Sequence, residues 1–204
     1  MTAATPPSRD DAELIVNPAS RERIQIRPAA EGQDDDVLVW DLWLAPGGHV
    51  PSGHVHPRQS ETFHVRRGML RFRIGPFRRV VVGPGQSLRV TPGVPHHFAT
   101  VGDTEVHAVV ETRPRLEMET LLRVAACLAT DDQGRARRLP RPLDLLLFMH
   151  EFRAEVRAPY LPTAVVHRTV AGLARLVRRF GLDRHYRRVR TSSAAPSTRA
   201  KAAR

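Results

Sequence analysis

His54 and His56 stand two residues apart, and Glu61 follows His56 by five. In an extended strand, residues two apart share a face, so both imidazoles can reach one metal ion. The odd spacing to Glu61 would turn its carboxylate to the opposite face of an uninterrupted strand. Pro57 ends regular pairing just after His56, which places Glu61 at the start of the next strand, facing back. A fourth ligand, His96, directly follows Pro95, and proline fixes the approach of the chain. Three neutral imidazoles and one carboxylate suit a divalent ion and leave coordination positions open. Such a centre can polarise a bound oxyanion, or hold a substrate and dioxygen together.

These ligands sit in two blocks. The first carries Gly48, His54, His56, Glu61 and Gly68; the second carries Gly85, Gly93 and His96. Gly48 and Gly68 bracket the first block at turns expected to need unusual dihedrals. Over about residues 12–113 the chain resembles the cupin superfamily, and the first block matches that family's first motif at every position. The second block departs from the family's pattern at Thr91, where proline is usual and stands one place later at Pro92, and at Thr100, where asparagine is usual. Both departures fall at turn or strand-end positions. The resemblance implies a mainly β fold, the double-stranded β-helix or cupin jelly-roll barrel, here followed by a C-terminal α-helical extension. It also implies one divalent metal (iron, manganese, nickel or zinc) on His54, His56, Glu61 and His96. Glu61 is the expected catalytic group. The implied function is a metal-binding cupin acting on a small molecule, with a quercetinase-like dioxygenase as the leading reaction. A metal-dependent isomerase or epimerase and a non-catalytic ligand-binding or sensor cupin stay open, because one fold hosts many chemistries.

The elements that must position the ligands are short strands at regular spacing. Glu13 to Val16, Arg21 to Arg27 and Val37 to Ala45 alternate, the last with Trp40, Leu42 and Leu44 on one face. Six more follow: Glu61 to Arg67, Met69 to Gly75, Arg78 to Val82, Gln86 to Thr91, His96 to Val101 and Thr104 to Arg113, separated by Gly and Pro turns. This punctuation predicts an antiparallel barrel or sandwich. Parity turns Phe63, Phe72, Leu88, Phe98 and Val110 inward, and these are the expected substrate-pocket residues. The same parity sends His64 and His97 to the outer face, and His49 and His107 are also read as surface residues.

After Pro114 the period changes to that of helices. Leu116 to Ala129, Leu143 to Val156 behind Pro142, and Pro162 to about Phe180 are the expected helices, with Gly181 capping the last. The organisation expected is a disordered N-terminus at 1–11, a barrel at 12–114, a helical extension at 115–182 and a basic disordered tail at 183–204. In the third helix Val166, Val170, Leu173, Val177 and Phe180 form a stripe that should pack on the barrel or on a second copy, giving a homodimer. Its arginines also admit contact with an anionic membrane surface.

Composition narrows the classes. Residues 1–60 hold 5 Arg against 9 Asp+Glu, whereas 160–204 hold 11 Lys+Arg against one acid, so the net charge of +11 is concentrated at the C-terminal end. Only Lys201 among the 32 basic residues is lysine. With no helix-turn-helix, zinc-finger or aromatic-interleaved pattern, specific nucleic-acid recognition is not expected. Cys127 is the single cysteine, which rules out an internal disulfide. No apolar run marks a secretory signal or a membrane span. A cytoplasmic location is the expectation.

Overall fold

The computed structural model describes residues 13–50, 53–131, 133–137, 139–160 and 163–194. The disorder expected at 1–11 and at the far end of the tail falls outside these residues, as does Pro162. The described residues form nine strands: β1 (Leu14–Asn17), β2 (Glu22–Ile26), β3 (Leu38–Leu44), β4 (Ser60–Arg67), β5 (Met69–Ile74), β6 (Arg78–Val82), β7 (Ser87–Val90), β8 (His96–Val101) and β9 (Val106–Arg113). They pair antiparallel into a six-stranded sheet, β1-β2-β3-β9-β4-β7, and a three-stranded sheet, β6-β5-β8.

The alternation read from the sequence decides what each face meets. In β3, Trp40, Leu42 and Leu44 are buried, and in β5, Leu70 and Phe72 are fully enclosed while Arg71 and Arg73 are exposed. The inward faces of the two sheets merge into one core of Leu42, Phe63, Val65, Phe72, Phe98 and Val110, among others. Burying each such side chain contributes about 1.5–3 kcal/mol before ordering costs. Glycine serves two different needs at the first turn. Gly47 takes the positive φ of 74°, whereas Gly48 does not; a Cβ on Gly48 would lie 2.8 Å from Ala45 O and Leu44 Cδ1. Gly48 is therefore required by close packing rather than by its dihedrals, while Gly68 (φ 71°) has both constraints.

Among the described residues four helices follow: α1 (Met118–Leu128), α2 (Pro142–Glu151), α3 (Thr163–Arg179) and α4 (Arg184–Ala194). α1 lies against β1 and α4, and α2 against α3. α2 ends earlier than its apolar period suggests, because the chain beyond it turns to pair Arg157 with Val55 through two backbone hydrogen bonds of 3.0 Å. Gly181 closes α3 as expected, at φ 65°, with Leu182 N–H donating to Val177 O.

Two further expectations differ from the structure. α4 stands where a disordered tail was expected from residue 183. Tyr186 is buried and donates its hydroxyl to Glu151 at 2.6 Å, and Arg190 pairs with Glu151 at 2.7 Å. These tertiary contacts order a segment whose composition alone reads as solvated. The α3 stripe is also only partly covered. Ala174 and Val177 are buried, but Leu173 and Phe180 remain 46% and 69% exposed.

Candidate metal centre

His54 and His96 are brought face to face by an isolated antiparallel bridge, with His54 N–H donating to His96 O at 3.0 Å and His96 N–H to His54 O at 2.9 Å. His56, two residues along the same extended run, turns to the same side. Its ring centroid lies 4.8 Å from that of His54 and 5.4 Å from that of His96. Glu61 enters at the start of β4 and faces them, as the break at Pro57 predicts. The loop between is pinned by Gln59, whose side-chain amide donates to Pro114 O at 2.9 Å and Arg115 O at 3.1 Å. His56, Glu61 and His96 are buried, and His54 is half-buried.

One donor atom from each of the four residues can be chosen so that all lie within 4.8 Å of one another. Donors on opposite sides of an ion bound at about 2.1 Å lie roughly 4.2 Å apart, so shifts of tenths of an ångström close the shell. The protonation pattern fits this use. His56 Nδ1 donates to the backbone carbonyl of Glu155 at 2.6 Å, and His96 Nδ1 donates to Val94 O at 3.1 Å. With Nδ1 so engaged, both Nε2 atoms face Glu61 Oε2, at 3.3 Å from His56 and 3.1 Å from His96. His56 Nε2 is buried with no hydrogen-bond partner. A proton or a cation must lie between these nitrogens and the carboxylate, and three imidazoles with one carboxylate are a donor set that fits a divalent metal.

The electrostatics of the cluster couple Glu61 to its imidazole neighbours. Burial alone would raise the Glu61 pKa, but the facing imidazoles of His56 and His96 outweigh it and hold the carboxyl well below its usual range. Burial likewise works against a charged His56, and Glu61 overcomes it, moving His56 upward. Glu61 is therefore ionised rather than a proton donor at neutral pH.

The five expected pocket residues lie in the interior. Phe63 and Phe98 follow Glu61 and His96 by two on the same inward faces, and the rings of Phe63, Phe72 and Phe98 meet at 5.0–5.5 Å. Val110 is fully buried and Leu88, opposite Phe63 in register, is half-buried. His49 is exposed, bonded to Gly47 O rather than to the centre. His64 bonds Ser87 Oγ, and His107 stacks on Trp43 and bonds Asp41, both away from the cluster. The sequence reading missed Glu155. Its contribution to His56 is a main-chain oxygen, which no side-chain pattern announces.

Residues 42–110 match the family described as Cupin domain. No curated protein matches the chain. Among solved structures, KdgF from Halomonas sp. is similar over 48% of this chain and 84% of its own, at 13% identity and a TM-score of 0.42. A sugar phosphate isomerase of the cupin superfamily from Silicibacter pomeroyi is similar over 51% of this chain and 72% of its own, at 20% identity and a TM-score of 0.45. The DMSP lyase DddQ from Ruegeria pomeroyi is similar over 52% of this chain and 58% of its own, at 21% identity and a TM-score of 0.43. The matched residues run from β3 through β9 and include all four clustered ligands, and the barrel of this chain is a cupin domain.

Proposed function

We propose that this protein is a metal-dependent cupin acting on a small molecule, with His54, His56, Glu61 and His96 holding one divalent ion. The observation that carries this reading is His56: its Nδ1 is committed to Glu155 O and its buried Nε2 is left partnerless beside Glu61. When bound, a divalent ion supplies Lewis acidity at a substrate oxygen. Glu61 stays ionised and balances the ion's charge. His54, the least buried ligand, marks the side from which a substrate approaches. Phe63, Phe72, Leu88, Phe98 and Val110 would supply the apolar wall that keeps water from it. A dioxygenase-like reaction on a phenol or enol is the leading assignment, with an isomerase or epimerase second and ligand sensing without turnover as the non-catalytic alternative.

The test begins with metal analysis of protein purified without a metal-affinity tag. Stoichiometric metal should vanish in the His54→Ala/His56→Ala double variant; unchanged content would sink the assignment. Oxygen uptake on phenolic and enol compounds, run beside aldose–ketose conversion, then separates the reaction classes.

We infer a second role for α3 as a contact with anionic membrane. Val165, Leu173, Leu176 and Phe180 are exposed on one face, bordered by exposed Arg168, Arg175 and Arg179 and by no acid within α3. Pairing this face with a second copy would set arginines against arginines, whereas an anionic surface accepts both features. The expected homodimer would then use a strand edge such as β7, which sedimentation checks. Co-sedimentation with phosphatidylglycerol vesicles but not phosphatidylcholine vesicles, lost in Leu176→Asp/Phe180→Asp, is the expected outcome for α3.

A further inference from the structure

A second site lies on the outside of the three-stranded sheet. His96 and His97 are adjacent on β8, so their side chains point to opposite faces. His96 serves the metal cluster; His97 faces outward beside Arg73, its register partner on β5. Arg73 is in turn the register partner of Arg79 on β6. Three cationic or protonatable side chains therefore stand in one row across three strands, with Arg71 next along β5. Like charges directly opposite in a sheet repel.

Nothing on this sheet balances them. Between Glu61 and Asp103 the chain has seven arginines and no acid. Among the described residues Arg71, Arg73, Arg78 and Arg79 form no ion pair, and the contact of Arg73 with Pro76 O is long, at 3.4 Å. An arginine-rich composition does not explain this. On the six-stranded sheet of the same chain, Arg23 meets Glu105 at 2.7 Å, Arg27 meets Asp41 at 2.6 Å and Arg113 meets Asp34 at 2.8 Å.

A cavity of about 270 Å³ opens where this row ends, lined by Arg73, His97, Gly53, Gly75 and Tyr160 and abutting His96. Tyr160 holds φ at 61°, a left-handed conformation that a bulky residue rarely adopts and that concentrates at ligand sites. The cavity volume equals roughly nine water molecules, enough for a small metabolite and too small for a polymer. Arg73, His97 and Tyr160 are all among its lining residues, and among the described residues no carboxylate lines it.

We propose that this cavity binds a small oxyanion-bearing molecule, a phosphomonoester or a carboxylate, with Arg73 as the charge partner and Tyr160 and His97 as hydrogen-bonding walls. The cavity shares His96 with the metal cluster, but Arg73, His97 and Tyr160 belong to no part of that cluster, and the proposal does not depend on the function assigned there. Arg73 presents donors in a planar fork that matches either oxyanion.

The test is a titration of the isotope-labelled full-length protein with inorganic phosphate and, separately, with succinate at constant ionic strength, read by amide chemical shifts. Saturable shifts at Gly53, Gly75, His97 and Tyr160 are expected with at least one probe. Tighter phosphate assigns phosphomonoesters; tighter succinate assigns carboxylates. Arg73→Ala should weaken binding about tenfold or more, as loss of a charge-assisted bond does, while leaving metal stoichiometry unchanged. Arg179→Ala, the same change of charge on α3, should leave the affinity within about twofold. Shifts that fail to saturate with both probes, or an equal loss in Arg179→Ala, would overturn the proposal in favour of diffuse screening.

Discussion

In the barrel, Leu42, Phe63, Leu70 and Phe72 are wholly enclosed, and each comes from a strand that turns its alternate residues outward. In the extension, α3 buries Ala174 and Val177 but leaves Leu173, Leu176 and Phe180 in the open. The barrel closes on itself, since two sheets supply each other's apolar partners. The extension is held at discrete points: α1 on β1, the Val55–Arg157 bridge, and polar ties such as Tyr186 and Arg190 to Glu151 and His185 to Asp144 at 2.7 Å. A further point is His56 of the candidate metal cluster, whose Nδ1 donates to Glu155 O. The helices are therefore a brace on one end of the barrel, tied to its chemistry through His56.

The sharpest way to break this contrast is to cut equal holes in both regions. Phe72 and Phe152 are both fully buried, so Phe72→Ala and Phe152→Ala should each cost about 3–5 kcal/mol in denaturant unfolding. If the extension braces the site, Phe152→Ala should also weaken metal binding more than Phe72→Ala at equal stability. A Phe152→Ala protein of wild-type stability and metal content would separate the two regions.

Tyr186→Phe probes a single tie. Losing a hydrogen bond to a carboxylate should cost about 1.5–3 kcal/mol, and amide exchange should quicken in α4 while β3 and β9 stay protected. Exchange that rises equally everywhere would mean the two regions open together.

Asp41→Asn tests the barrel's electrostatics on the other side. Burial would raise the Asp41 pKa, but hydrogen bonds from Arg27 and His107 outweigh it and hold the carboxyl low. Its stabilisation, about 1 kcal/mol, is thus complete above the ordinary aspartate value of 3.8 and is lost as pH falls below that through the depressed folded value. Wild-type and variant unfolding midpoints should converge in that acid window and differ at neutral pH. A difference unchanged down to the lowest pH would assign the effect to packing. The smallest effect belongs to Arg113→Ala, because its pair with Asp34 is half in water on both sides; no measurable shift in the midpoint is expected.

Much of this was legible in the chain. Period-two alternation in β3 and β5 fixes which side chains enter the core, and Gly-rich turns separate the strands. The gaps between His54, His56 and Glu61 made the cluster readable, because side-chain identity and strand parity suffice to aim a ligand. The brace was not legible. The oxygen that orients His56 belongs to a peptide group 99 residues downstream, and any residue at 155 would carry it. α4 escaped for a related reason: its order comes from Glu151 on another helix, while its own composition is that of a solvated segment. Gly48 read correctly as essential but for the wrong cause, since crowding against Leu44 is invisible without the packed turn.

The separation between His56 and Glu155 also has a meaning in time. A ribosome adding about 5–20 residues per second exposes His54, His56, Glu61 and His96 well before the peptide that locks the His56 ring is made. For roughly 3–12 seconds the nascent chain holds all four of these residues while His56 is still free to turn either nitrogen inward. The orientation of the His56 ring is thus fixed late, after the rest of the cluster has been translated.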